Sequence, residues 1–227
     1  MSGIEVRDLA RTVGGPDGSA VLRGVTFRVP QGHSVGLQGA TGSGKTTLLR
    51  LIAGLDRPDR GEIRLEGSVV NDARTFLPPS RRRIGFVFQG LGLWPHLTAE
   101  MHLDYVLAST GWSKEECAQR KAEAVASFHL QGLERRRPGE LSGGEKRLLA
   151  LARALVGHAR ILLLDEPFTG LDGRLKERVV EALGLWLEKR RLTTLLVSHD
   201  PKDLTRLSRG TVHLREGQVV EKAGVEL

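Results

Sequence analysis

The segment Gly39-Ala40-Thr41-Gly42-Ser43-Gly44-Lys45-Thr46, with Thr47 behind it, has the spacing G-x-x-x-x-G-K-[ST] of a loop that wraps a polyphosphate. The glycines let several backbone N–H groups turn inward, and a helix N-terminus adds partial positive charge. Lys45 is then placed to reach the β- and γ-phosphates, and the Thr46 hydroxyl to ligate Mg²⁺. A glycine-rich turn that binds nothing is the plainer alternative. The matched positions, set between an apolar strand and a helix, argue against it.

Three further groups of residues carry the same chemistry. Asp165-Glu166 follows the apolar run Ile161-Leu162-Leu163-Leu164. Asp165 suits a hard cation that takes oxygen ligands, and Glu166 suits the polarisation of a water that attacks a phosphoryl group. Gln89 and His199 also stand where apolar runs end, and each is uninformative alone. Leu141-Ser142-Gly143-Gly144-Glu145 puts a hydroxyl and two glycines at the start of a helix, a second anion-binding end. Either a second anion binds there, or this end completes a site on another copy of the chain.

These residues need an α/β frame, in which ligands bind beyond the carboxyl ends of the strands. Ile4-Glu5-Val6-Arg7-Asp8-Leu9 alternates apolar and polar, and a strand over 21–29 follows the turn cluster at 14–19, giving an antiparallel hairpin. Residues 61–67 should join that layer. Strands are expected at 34–38, 84–88, 161–164 and 193–198, the strand at 84–88 buried on both faces. Helices are expected at 46–53, from Thr98 to about residue 108, from the capping box at Ser113 to about 129, at 145–156, along the stripe from Leu175 to Leu187, and after Asp200-Pro201. A final hairpin should turn at Glu216-Gly217. The block at about 91–144 reads as a helical subdomain inserted in a core of 1–90 and 145–227, all one domain over 1–227.

The composition is ordinary for a soluble globular chain of 227 residues, with 40% hydrophobic and 27% charged residues. A net charge of +7 is spread out, except at Arg81-Arg82-Arg83 and Arg135-Arg136-Arg137. Such short triplets read as solvated turns, and aromatic residues are too few for a single-strand stacking platform, so no nucleic-acid partner is expected. Cys117, the one cysteine, fits a reducing compartment and reads as inert. The N-terminus lacks an apolar signal core, and no run approaches the ~20 apolar residues of a membrane span. A soluble protein is expected, with any membrane role supplied by a partner.

In their order along the chain, the phosphate loop, Gln89, Leu141 to Glu145, Asp165-Glu166, Asp172 and His199 resemble the nucleotide-binding subunit of an ATP-binding cassette (ABC) transporter. The resemblance covers essentially the full length. It implies a P-loop ATPase fold and ATP with Mg²⁺, the metal held by Thr46, Gln89 and Asp165. It gives Glu166 the catalytic role, with His199, Gln89 and Lys45 beside it. Residues 39–47 bind ATP. Ser142, Gly143, Gly144 and Glu145 meet the γ-phosphate held by an opposite subunit, and Asp172 links the two sites.

The implied partners are a second cassette subunit, as homodimer or heterodimer, and an integral membrane permease on whose cytoplasmic face the chain sits. A substrate-binding protein is a further candidate. The stretch from Leu77 to Gln89, with Leu93-Trp94-Pro95-His96-Leu97-Thr98 after it, resembles import subunits for oxyanions, sugars and polyamines. From the last hairpin onward, the C-terminal regulatory domain that some importers carry is not expected. An exporter or lipoprotein-release ATPase, and a soluble ABC ATPase uncoupled from transport, are the alternatives.

Three departures from the family pattern stand out. Val13 occupies the position of an adenine-stacking aromatic, so nucleotide is expected to bind mainly through its phosphates. Leu148 stands where the family usually has arginine, with Arg147 one residue earlier. Thr169-Gly170-Leu171-Asp172 replaces the commoner Ser-Ala-Leu-Asp.

Overall fold

The structure is a computed structural model that describes residues 2–14 and 18–224. Strands β1 (Ser2–Val13) and β2 (Ser19–Pro30) form the antiparallel hairpin, and β4 (Arg60–Leu65) and β5 (Ser68–Asn71) extend it in the order β2-β1-β4-β5. The turn expected between β1 and β2 lies partly outside the described residues. A second sheet has the order β10-β9-β3-β8-β7-β6, built from β3 (Ser34–Gln38), β6 (Ile84–Val87), β7 (Ile161–Asp165), β8 (Thr193–Val197), β9 (Gly210–Arg215) and β10 (Gln218–Ala223). All neighbours in it are parallel except the terminal hairpin β9–β10. This is the expected α/β class: a parallel-rich sheet with an antiparallel layer.

The period of two in the central strands sorts their side chains between two cores. Ile161 and Leu163 of β7, with Leu195 and Val197 of β8, pack toward α1 (Lys45–Ala53) and the antiparallel sheet. Leu162, Leu164 and Leu196 pack on the other face, against α4 (Gly143–Leu155) and α5 (Gly173–Arg190). Leu48, Leu49, Leu51 and Ile52 of α1 are fully buried, as their spacing requires. Gly54 ends α1 at φ 77°, a left-handed C-cap that glycine adopts without a Cβ clash.

Helices α2 (Ala99–Leu107) and α3 (Lys114–Ser127) begin at Thr98 and Ser113, which cap them as expected; Ser113 and Glu116 close a full capping box. Their apolar faces do not form a separate core. Leu103, Leu107, Ala124 and Phe128 join one cluster with residues of α4 and α5, and Trp186 of α5 donates from Nε1 to Ser127 Oγ at 3.0 Å.

Two expectations fail. β6 is the edge strand of its sheet, so Ile84 and Phe86 on one face are only partly covered, rather than buried on both sides. Arg82 is not a solvated turn residue: it is 4% exposed, while Arg81 and Arg83 beside it are exposed. Its guanidinium donates to the carbonyls of Leu51, Ile52, Leu77 and Val70, closing the C-terminal end of α1, and burial pulls its pKa down to about 10. Leu51 and Ile52 belong to the last turn of α1, where a helix end leaves carbonyls short of partners, and no reading of charge along the chain reveals this.

Candidate functional site

Strand β3 delivers the phosphate loop. Gly44, the N-cap of α1, has φ 101°, and a Cβ there would press on the Val21 carbonyl and the Leu22 side chain. The loop is thereby seated against β2. Lys45 is buried, and its Nζ donates to the carbonyls of Gly39 at 2.7 Å and Ala40 at 2.8 Å. Burial lowers its pKa, and the charges of Glu166 and Asp165 oppose that shift. Ala40, Thr41 and Gly42 are exposed, whereas Ser43 is buried.

Strand β7 ends in Asp165, whose Oδ2 accepts from Thr46 Oγ1 at 2.8 Å. Burial pushes the Asp165 carboxyl up, although the Thr46 hydroxyl pulls the other way. These two oxygens at the mouth of the loop form a donor set that fits a hard cation shared with phosphate oxygens. Among the described residues no group of three or more His, Cys, Asp or Glu could hold a metal by itself. Glu166 Oε1 lies 2.8 Å from His199 Nε2, just beyond the end of β8. β7 pairs with β8 so that Asp165 is opposite Val197. That register brings Glu166 and His199 together.

Gln89 is exposed, two residues beyond β6, whose Val87 is paired with Leu164. It therefore sits one strand over at the same edge of the sheet. Ser142 caps α4, accepting from Glu145 N at 3.2 Å, while Glu145 Oε2 accepts from Ser142 N at 2.6 Å. That bond holds the Glu145 carboxyl below the usual range. Ser142 and Gly143 are exposed, and Gly144 lies near Leu171 and Leu175. Asp172 caps α5, accepting from Leu175 N at 2.9 Å. Val13 is 52% exposed on the hairpin whose Val21 touches Gly44.

The site is therefore two assemblies. Thr46, Lys45, Asp165, Glu166 and His199 converge; Ser142 to Glu145 stand apart on their own helix. Arg147 bridges them: its Nη1 donates to the Glu166 carbonyl at 2.8 Å. A concavity of about 1030 Å³ lies elsewhere, at the amino ends of β3, β8 and β9.

The family model described as ABC transporter matches residues 22–169, from β2 through the acid pair. The chain belongs to the ABC transporter family. This cassette is 36% identical over 228 residues to an Fe(3+) ions import ATP-binding protein of Pseudomonas fluorescens, covering 100% of the chain and 62% of that protein. It is 34% identical over 203 residues to a spermidine/putrescine import ATP-binding protein of Oleidesulfovibrio alaskensis, covering 89% and 53%. A glucose import ATP-binding protein of Saccharolobus solfataricus is 37% identical over 201 residues, covering 88% and 57%. The cassette thus spans between half and two thirds of the length of these relatives. Among solved structures, the dimeric structure of MJ0796, a bacterial ABC transporter cassette, matches with a TM-score of 0.88 at 29% identity, covering 99% of both chains. Its dimeric post-hydrolysis state bound to ADP and Pi matches with a TM-score of 0.86 at 29% identity.

Two charged residues near the site were not legible as such in the sequence. Lys176 in α5 reaches Asp200 and Asp203 at 2.6 and 2.9 Å, bracing the segment after His199. Arg153 in α4 donates to the carbonyls of Leu91 and Gly92, just past Gln89. A signal was present only for Arg147, as a displaced arginine.

Proposed function

We propose that the protein is the ATP-binding and ATP-hydrolysing subunit of an importer, working as a pair of cassettes beneath a separate membrane permease. The observation that carries this reading is the convergence of Thr46–Asp165 and Glu166–His199 at the phosphate loop, while Ser142 starts a helix outside it.

The loop N–H groups and Lys45 cradle the phosphates. Thr46 and Asp165, with Gln89, would hold Mg²⁺, which when bound neutralises charge developing on the phosphate oxygens. Glu166 orients and polarises the attacking water, and His199 contacts the γ-phosphate. Ser142, Gly143, Gly144 and Glu145 close the site of the opposite copy, with Asp172 relaying between sites. Closure on ATP moves the permease and hydrolysis releases it. With Val13 in place of an aromatic, the base contributes little.

Relatives named for import of iron, polyamine and glucose support the inward direction. No helix among the described residues is long and apolar enough to cross a membrane, so the permease is a separate chain or domain, with the cassette on its cytoplasmic face. Met101, Tyr105 and Trp94 are exposed near the Gln89 loop, the Trp94 and Tyr105 rings 5.0 Å apart. An apolar patch of this kind suits a permease contact.

The test is complementation. Glu166→Gln should bind ATP, lose hydrolysis by ~100-fold or more, and run as a dimer with ATP. Ser142→Arg should also be inactive while binding ATP. Mixing the two inactive chains should restore turnover, because the mixed dimer has one site with Glu166 and Ser142 both intact. No recovery in a mixture that does dimerise refutes the shared site.

A further inference from the structure

Glu166 has φ 52°, in the left-handed region that a non-glycine residue seldom adopts. Pro167 follows it and further restricts its backbone. A conformation like this persists only where the surroundings over-determine it. Three hydrogen bonds to its peptide groups do so here. The Glu166 amide donates to the Val197 carbonyl at 3.1 Å, from the end of β8. The Glu166 carbonyl accepts from Arg147 Nη1 at 2.8 Å, from the second turn of α4, and over a longer 3.5 Å from the Thr169 amide.

The placement of Arg147 carries a desolvation cost. Its guanidinium is half-buried, burial pulls its pKa down, and its Nε is buried without a partner among the described residues. The cation gives up water for one carbonyl and leaves a donor unpaired, a loss that its attraction to the Glu166 carboxylate opposes without outweighing the effect of burial on its pKa. Its neighbour Leu148 is buried in the core, so the helix face itself is already held by apolar packing.

We propose that Arg147 is a positioning residue that pins the Glu166 peptide in its left-handed conformation and ties that conformation to the seating of helix α4. The proposal rests on the roles given above to Glu166 and Ser142. Because Ser142 caps the same helix, a shift of α4 when Ser142 meets the opposite nucleotide is carried five residues along to the carbonyl of this copy's own Glu166. Hydrogen bonds weaken steeply with length and angle. A displacement of about 1 Å at the catalytic carboxylate costs on the order of 100-fold in rate. Each site's carboxylate is thereby aimed best when the helix of the same chain is seated on the other site, so the mixed dimer of Glu166→Gln and Ser142→Arg chains, whose intact Glu166 lies on the chain with the altered helix, should recover turnover in part.

The experiment uses the full chain. Arg147→Met should lower kcat about tenfold or more with the KM for ATP within about twofold, and Arg147→Lys should recover part of the loss. In the Glu166→Gln background the same substitution should change residual turnover less than about twofold, because both act through one carboxylate. A loss that persists undiminished in that background overturns the proposal. Hydrogen exchange without nucleotide reads the pin directly: the amides of residues 166 and 168–171 should exchange faster in Arg147→Met, with those of α4 unchanged. Unchanged exchange at 166 and 168–171 overturns the proposal whatever the turnover. Inactive wild-type protein would instead count against the ATPase reading, leaving the exchange result to decide the role of Arg147. Arg147→Gln is read the same way if the methionine variant does not fold.

Discussion

Thr46 Oγ1 donates to Asp165 Oδ2 across 2.8 Å, joining residues 119 positions apart. The bond ties the first turn of α1 to the end of β7 and gives a buried carboxyl one of its few partners. Asp165→Asn keeps the shape and the acceptor for Thr46 while removing a charge whose burial is unfavourable. Its melting midpoint should equal or exceed that of the wild type, while hydrolysis falls by ~100-fold or more. Thermal melts and turnover at fixed magnesium check both. A midpoint lower by about 5 °C would make the carboxylate structural instead.

Lys176 braces the segment that carries His199. Its ammonium contacts Asp200 and Asp203, and Ser198 Oγ donates to Asp203 Oδ2 at 2.7 Å. Lys176→Met leaves the nearly buried Asp203 without its cation, and urea unfolding should show a loss of about 2–3 kcal/mol. Burial alone would lower the Lys176 pKa, but hydrogen bonds to the two aspartates outweigh it and raise it above 10.5. A raised folded pKa stabilises fully below the unfolded value and is lost as pH rises through the folded one. The gap between wild type and variant should therefore hold steady from roughly pH 6 to 9 and close only on the alkaline side. A gap that closes near neutrality would contradict this origin.

Arg82 separates a structural arginine from its solvated neighbours. Arg82→Met strips donors from four carbonyls around the end of α1 and should cost about 3 kcal/mol in urea unfolding. Arg81→Met and Arg83→Met should each stay within about 0.5 kcal/mol of wild type. Equal effects across the triplet would make the buried contacts energetically empty.

Much of the frame was legible because it is local. The strand at Ser34–Gln38, the capping box at Ser113 and the helix start at Ser142 are set by neighbouring residues, and each lies where spacing and capping put it. The edge position of β6 was not legible, because an apolar run does not say which strand lies last in the sheet.

By itself, the sequence determined the chemistry on offer: a phosphate loop, an acid pair, a lone histidine and a second helix start, each within a few consecutive residues. It also determined the elements, since periodicity, caps and turn residues act over single turns. Which side chains meet was decided by tertiary structure alone. The β7–β8 register brings Glu166 to His199, and the turn of α4 that carries Arg147 faces the Glu166 carbonyl. The reason is physical: a hydrogen bond is decided within a few tenths of an ångström, and only the packing of sheet and helices fixes distances that finely between residues far apart in the chain.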